Sequence, residues 1–281
     1  MPRLAGLLFD KDGTLFDFHA SWGNWAASLM LELAGGDSAR AEVLGRAVGY
    51  DMTERMFLPD SPAVAGTPDD IGKVLLALLP GASPAGLLAR MNALAATAAM
   101  VPATPLPPLL AQLRGRGLRL GLASNDSEAS VRGHLSAEGV AGAFDFIAGY
   151  DSGYGQKPGP GMALAFAATC RLWPGQIVMV GDSVHDMLAG RAAGMRTVAV
   201  LTGLATRDDL APLADAVLPD IGHLPAWLDA RDREARDGQD VSRISGVKPL
   251  RLKLAAGVSH AVSIRRRQPG RYPATQIVLP G

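Results

Sequence analysis

Short, unbroken apolar runs recur at wide intervals along the chain, and each stops at a small or polar residue. Leu4 to Phe9 ends at Asp10. Leu118 to Ala123 ends at Ser124 and Asn125. Phe144 to Ala148 is a third run, and Ile177 to Val180 ends at Gly181 and Asp182. Thr197 to Leu201 is a fifth, and Ala216 to Leu218 a possible short sixth. Continuous rather than alternating hydrophobicity suits strands covered on both faces of a parallel sheet. Between the runs lie helical segments: Leu106 to Arg114, Glu128 to Glu138, Met162 to Leu172, Val184 to Ala193 and Arg207 to Leu213. Strand–helix alternation of this kind predicts an α/β fold built on an open sheet with helices on both faces.

One stretch breaks the alternation. From about Phe18 to Met100 no strand is evident, and Trp25 to Leu33, Ala39 to Val48, Ile71 to Leu79 and Pro84 to Ala99 read as helices. Val101 to Pro108 is a proline-rich return. The organisation that follows is a core made of residues 1–17 and 101–230, with a small helical domain, 18–100, inserted between the first and second strands.

Open sheets of this class bind ligands beyond the carboxyl ends of their strands. Asp10, Asp12, Ser124, Asn125, Lys157 and Asp182 all follow strands or lie in a loop after one, so they are expected to converge on one rim. If the backbone stays extended, Asp10 and Asp12 point the same way. Two such carboxylates repel unless a proton or a metal intervenes, and a hard cation suits oxygen ligands. Gly13 allows a sharp turn after the pair, and Thr14 can brace it. The alternative is two solvated acids at a loop. Gly181, Asp182, Ser183 and Asp186 form a second acidic site, and Ser183 with Asp186 also fits a capping box. Ser124, Asn125 and the N–H groups of the following helix can cradle an anion or simply cap that helix. Lys157, in the glycine-rich loop DSGYGQKPGPG, can neutralise a phosphate oxygen or a carboxylate, or be a surface lysine. His185 reads as a solvent-facing helix residue, the alternative being a place near substrate.

Charge adds an asymmetry. Lys+Arg and Asp+Glu both number 27, but residues 231–281 hold eleven basic and four acidic residues, net +7, leaving −7 for the first 230. The core is therefore not expected to bind nucleic acid. Residues 231–281, with the run Arg265 to Arg267, read as a basic C-terminal tail, a mobile appendage or else an arm that docks on the acidic main domain or on an anionic partner, and the alternating Leu250, Leu252 and Leu254 suggest a short strand in it. Hydrophobic residues at 48% against 19% charged allow a sizeable core. The single cysteine, Cys170, lies in an apolar run and reads as a small core residue. The N-terminus is interrupted too early for a signal peptide, and the longest charge-free stretch, Met91 to Leu113, carries four prolines. A soluble, cytoplasmic protein with no membrane partner is expected.

Taken in order, DKDGTL, LASN, the Lys-Pro pair at Lys157 and GDSVHDMLAGRAAG resemble the four motifs of the haloacid dehalogenase-like hydrolase superfamily. Within it, the chain is similar to phosphoglycolate-phosphatase-like members with a helical cap between the first and second motifs. The resemblance covers roughly residues 4–220 and implies a Rossmann-like open parallel sheet, order 3-2-1-4-5. It further implies a Mg²⁺-dependent phosphatase acting on a small phosphorylated molecule, phosphoglycolate-like or a sugar phosphate. Asp10 would attack phosphorus and form an aspartyl-phosphate. Asp12 would protonate the leaving alkoxide and then activate water, its carbonyl touching Mg²⁺. Ser124, with Asn125 and neighbouring N–H groups, would hold the phosphoryl group, and Lys157 would bridge it to Asp10. Asp10, Asp12 and Asp182 would hold the metal, supported by Asp186 and Thr14.

The presence of Asp12 argues against dehalogenases and phosphonatases of that superfamily, which lack the second aspartate. A phosphomutase, or a non-catalytic phosphate-binding module, remains as an alternative. Substrate choice is expected in the cap, from Phe16 to Trp22 and around Arg55 and Phe57. His19, Trp22 and Arg55 could meet a substrate tail there, although Trp22 and Trp25, three apart on a helix, also suit a packed cap interior.

Overall fold

The structure, a computed structural model, describes residues 3–58, 61–62 and 66–244, the last ten of these by backbone alone. The chain begins with β1 (Gly6–Phe9) and passes into α1 (Phe18–Leu33), α2 (Ser38–Ala47), β2 (Tyr50–Asp51), β3 (Met56–Phe57), α3 (Pro68–Leu76) and α4 (Pro84–Ala95). It then alternates: α5 (Leu106–Gly115), β4 (Arg119–Ala123), α6 (Glu128–Ala137), β5 (Phe146–Ala148), α7 (Gly161–Cys170), β6 (Ile177–Gly181), α8 (Val184–Ala192), β7 (Arg196–Val200), α9 (Arg207–Leu210), β8 (Ala216–Leu218) and α10 (Leu224–Ile244).

Six strands form one parallel sheet in the order β5-β4-β1-β6-β7-β8. This is the expected order with Ala216–Leu218 added as the sixth, edge strand. β1 lies between β4 and β6, with Leu8 opposite Gly121 on one side and Met179 on the other. The unbroken apolar runs have their explanation in the two faces. Leu7 and Phe9 enter one apolar cluster with Val178 and Val180, while Leu8 enters another with Met179 and Phe166. β1 and β6, in the middle of the sheet, are thus buried on both sides, which favours small or apolar residues throughout. Cys170 packs beside this second cluster, as its apolar surroundings predict.

The helical insert has an apolar cluster of its own, built around Leu29, Met30, Leu44, Tyr50, Leu75 and Met91. Its two connections to the sheet run side by side: Asp17 N–H donates to Val101 O at 2.9 Å and Ala103 N–H to Leu15 O at 2.9 Å.

Three features differ from the sequence reading. The insert contains a hairpin, β2 with β3, whose strands are only two residues long and so leave no alternation to read. α1 starts at Phe18 rather than Trp25, because the Asp17 carboxylate caps it by accepting from Ala20 N–H at 2.8 Å. The boundary placed at residue 230 falls inside α10. Leu224 and Leu228 are buried against the core with Trp227 beside them, at helical spacing, and the helix continues past the change in charge. The suggested strand at Leu250, Leu252 and Leu254 and the run Arg265 to Arg267 lie outside the described residues. Among the described residues no helix is long and apolar enough to cross a membrane.

Candidate active site

The rim at the carboxyl ends of β1, β4 and β6 gathers the residues singled out above. Asp10 follows β1, and its N–H still pairs with Val180 O on β6 at 2.9 Å, so the carboxylate is held at the end of a rigid strand. Lys157 reaches in from the loop before α7. Its Nζ lies 2.6 Å from Asp10 Oδ1 and 2.6 Å from Asp186 Oδ1. Asp186 sits in the first turn of α8, where its Oδ2 accepts from Ser183 N–H and from Ser183 Oγ, a capping box completed by Asp186 N–H to Ser183 Oγ. The capping box expected from GDSVHD is therefore present, and it holds Asp186 where its other oxygen meets Lys157. Asp182, at the end of β6, accepts a hydrogen bond from Thr14 Oγ1 at 3.0 Å.

The turn after Asp10 depends on glycine. Gly13 has φ of +74°, and a Cβ there would overlap the Asp182 carboxylate. Gly203, in the loop after β7, is equally close to that carboxylate.

Ser124 ends β4 and is buried, with its Oγ accepting from Asp126 N–H at 3.0 Å. Asn125 clamps the lysine loop: its Nδ2 donates to Lys157 O at 3.1 Å, and its Oδ1 accepts from Lys157 N–H at 2.9 Å. The N-cap of α6 is Ser127, so Ser124 and Asn125 stand ahead of the helix rather than capping it.

Asp12 departs from the expectation of parallel carboxylates. The backbone bends at Lys11, so strand alternation ends there and the two side chains take different partners. Asp12 Oδ1 accepts from Trp22 Nε1 on α1 at 2.7 Å, and its Oδ2 lies 3.1 Å from Lys11 Nζ. One carboxylate oxygen each from Asp10, Asp182 and Asp186 lie within 4.8 Å of one another, whereas Asp12 is outside this cluster.

Lys11, passed over in the motif as a spacer, is fully buried. Its Nζ also meets Asp126 Oδ2 at 2.8 Å and His134 Nδ1 at 3.0 Å. An ammonium only donates, so His134 Nδ1 accepts, leaving Nε2–H to donate to Ala95 O, at the end of α4, at 2.8 Å. Burial and the Lys11 charge hold His134 below its ordinary value, consistent with that neutral tautomer. No pattern within the motif signals these partners, because they lie more than a hundred residues away.

The electrostatics of the cluster suit a cation. Burial, and then the Asp186 charge, raise Asp10 to about 7 despite Lys157. Burial, then Asp10 and Asp186, push Asp182 well above the usual carboxylate range. Lys157 is itself pushed up: burial opposes its charge, but Asp10 and Asp186 outweigh it. Three buried carboxylates thus stand around one buried ammonium. A cluster of oxygen donors with excess negative charge fits a hard divalent cation.

Above the rim lies a pocket whose floor includes Asp10, Asp12, Ser124 and Lys157, and whose roof is supplied by the insert. Trp22 and Phe57 line it, as does His185, which is half-buried rather than solvent-facing. His19 and Arg55 do not line it; Arg55 is exposed and donates to Asn24 Oδ1.

Comparison with known proteins matches residues 4–194 to the haloacid dehalogenase-like hydrolase family. The chain is 34% identical over 111 residues to a phosphatase named IndB from Dickeya dadantii, covering 40% of this chain and 48% of that protein. It is 35% identical over 121 residues to a phosphoglycolate phosphatase from Rhodospirillum rubrum, covering 43% and 50%. The chain thus spans about half the length of these two relatives. It is 28% identical over 231 residues to hexitol phosphatase B of Escherichia coli, covering 80% and 96%. Among solved structures, CbbY from Rhodobacter sphaeroides in complex with phosphate superposes with a TM-score of 0.57 at 22% identity, covering 79% of this chain and 96% of that one. A HAD family hydrolase from Deinococcus radiodurans with bound phosphate and sodium gives 0.57 at 22%, covering 80% and 95%. At those identities the structures speak for the fold alone. The family match spans most of the chain and includes all four motifs: the protein is a member of the haloacid dehalogenase-like hydrolases.

Proposed function

We propose that the protein hydrolyses a small phosphomonoester through a covalent aspartyl-phosphate on Asp10. The observation that carries this reading is the placement of Lys157 Nζ 2.6 Å from both Asp10 and Asp186, beside Asp182, on the floor of a pocket. Asp10 attacks phosphorus as a carboxylate, forming an acyl–phosphate bond as the ester P–O bond breaks. Asp12 gives its proton to the departing alkoxide oxygen. It then takes a proton from the water that attacks the aspartyl-phosphate, which releases inorganic phosphate and restores Asp10. Ser124 Oγ and the N–H groups near it hold the phosphoryl oxygens, and Asn125 keeps Lys157 in place. The Lys157 charge opposes the repulsion between Asp10 and an anionic phosphate.

Asp10, Asp182 and Asp186 would hold Mg²⁺, with the Asp12 backbone carbonyl as a further oxygen. Such an ion would offset the like charge of carboxylate and phosphate. The names of the relatives, phosphoglycolate phosphatase and hexitol phosphatase B among them, support a small phosphorylated substrate. Phosphate release from 4-nitrophenyl phosphate with and without added Mg²⁺ tests the reading. Mg²⁺-dependent release that is lost in Asp10→Asn is expected.

A further inference from the structure

The insert's side of the pocket carries chemistry of its own. Its wall is formed by Phe18, Trp22, Trp25, Phe57, Ile71 and Met91. Trp22 and Trp25 meet edge to face with ring centroids 5.0 Å apart; Trp22 also has Lys11 Nζ over its ring and His134 at its edge, while Trp25 is half-buried at the pocket wall. The insert, residues 18–100, has five Lys/Arg residues, and all are exposed and absent from the pocket wall. Four are directed elsewhere: Arg46 to Glu42, Arg55 to Asn24, Lys73 to Asp70 and Arg90 to Glu32. Among the described residues the basic side chains that line the pocket are Lys157 and His185, both on the core side, and Lys157 is held by Asp10 and Asp186.

These facts weigh against two kinds of leaving group. A carboxylate-bearing alcohol such as glycolate would be placed against an apolar wall, with Asp10, Asp12, Asp126 and the already paired Lys157 as the charges below it and no Lys or Arg of the insert to meet it. Burying an unpaired carboxylate is costly. A polyol needs many hydrogen bonds. On the insert wall Trp22 Nε1 is engaged by Asp12, so Trp25 Nε1 and Asn92 Oδ1, buried without a partner, are the two polar atoms there open to a hydroxyl, too few for a polyol. A flat apolar group needs few polar partners from such a wall and gains burial against aromatic faces.

We propose that the pocket selects phosphomonoesters whose alcohol is uncharged and bears an aromatic ring, seated against Trp22, Trp25 and Phe57. The proposal rests on the phosphatase reading for its floor and names the substrate class for that same site. Primary-alcohol esters keep the leaving-group chemistry comparable. With full-length protein and Mg²⁺, 2-phenylethyl phosphate is expected to show a kcat/KM at least tenfold above 2-phosphoglycolate and glycerol 1-phosphate. Binding is measured separately by calorimetry with two non-hydrolysable probes, benzylphosphonate and phosphonoacetate. Benzylphosphonate is expected to bind at least tenfold tighter. Ile71→Lys, which puts a cation on the wall, should erase that preference, and Trp25→Ala should weaken benzylphosphonate while leaving phosphonoacetate within about threefold. Equal or tighter binding of phosphonoacetate, or preferred turnover of phosphoglycolate or glycerol phosphate, overturns the substrate class. If benzylphosphonate binds tighter but no ester is hydrolysed, the substrate pocket stands and the phosphatase reading falls.

Discussion

Trp22 Nε1 donates a hydrogen bond to Asp12 Oδ1 at 2.7 Å, joining the first helix of the insert to the second aspartate of the strand-end motif. The other Asp12 oxygen faces Lys11, whose ammonium is also tied to Asp126 and His134. The carboxylate proposed to move protons is therefore oriented from both domains at once. Trp22→Phe keeps most of the packing and removes the donor. A hydrogen bond to a charged group is worth about 1.5–3 kcal/mol, so kcat should fall about tenfold or more. Steady-state kinetics should show KM within about threefold of wild type; an unchanged kcat would remove Trp22 from the positioning of Asp12.

Asp10→Asn removes the nucleophile with little change of shape, so turnover should vanish while the fold persists. Phosphate release and near-ultraviolet circular dichroism measure the two halves of that statement. Asp12→Asn should also be disabled, although with 4-nitrophenol as leaving group the first step can proceed and trap phosphate on Asp10.

Chelation should abolish turnover, and Mg²⁺ should restore it where Ca²⁺ does so poorly, because Ca²⁺ accepts more oxygen ligands at longer distances. Calorimetry of the metal alone should show a divalent site that Asp182→Asn weakens. Full activity after exhaustive chelation would exclude Asp182 as a metal ligand.

Gly203 makes no polar contact with the site, yet a Cβ there would overlap the Asp182 carboxylate. Gly203→Ala should displace that carboxylate and lower metal affinity on the order of 10–100-fold, as changes behind a ligand commonly do. Metal titration checks this. Affinity equal to wild type would mean that the loop after β7 gives way instead.

Asp145 tests the electrostatics of the scaffold. Burial raises its carboxyl, but Leu120 N–H, Arg119 and Arg114 outweigh this and hold it below its ordinary value of 3.8. A carboxyl lower in the folded state contributes stability above its unfolded value and loses it as pH falls through the folded one. Asp145→Asn should therefore lower the urea midpoint at pH 7, and the gap from wild type should close toward pH 3. A gap that stays constant with pH would assign the effect to packing.

Several elements were legible in the chain because their cause is local. Leu7, Leu8 and Phe9 report a strand buried on both faces, since any polar residue there would be stranded in one apolar cluster or the other. Asp10, Ser124 and Asp182 stand where such runs stop, at the ends of adjacent strands, so their convergence follows from a parallel sheet. The hairpin of β2 and β3 was not legible because two residues carry no period. The charge change near residue 230 marked no boundary because α10 follows its buried face, not its charge.

The sequence by itself therefore determined the sheet, the helical insert and which side chains stand on the rim. Only the tertiary structure decided their pairings. Asp12 takes different partners from Asp10 once the backbone bends at Lys11, and Lys11 became the hub of a buried network whose partners Asp126 and His134 lie 115 and 123 residues further on. Apolar patterning reports how deeply a residue is buried. A buried charge must find specific partners, and their identity depends on which loops the sheet brings together in space.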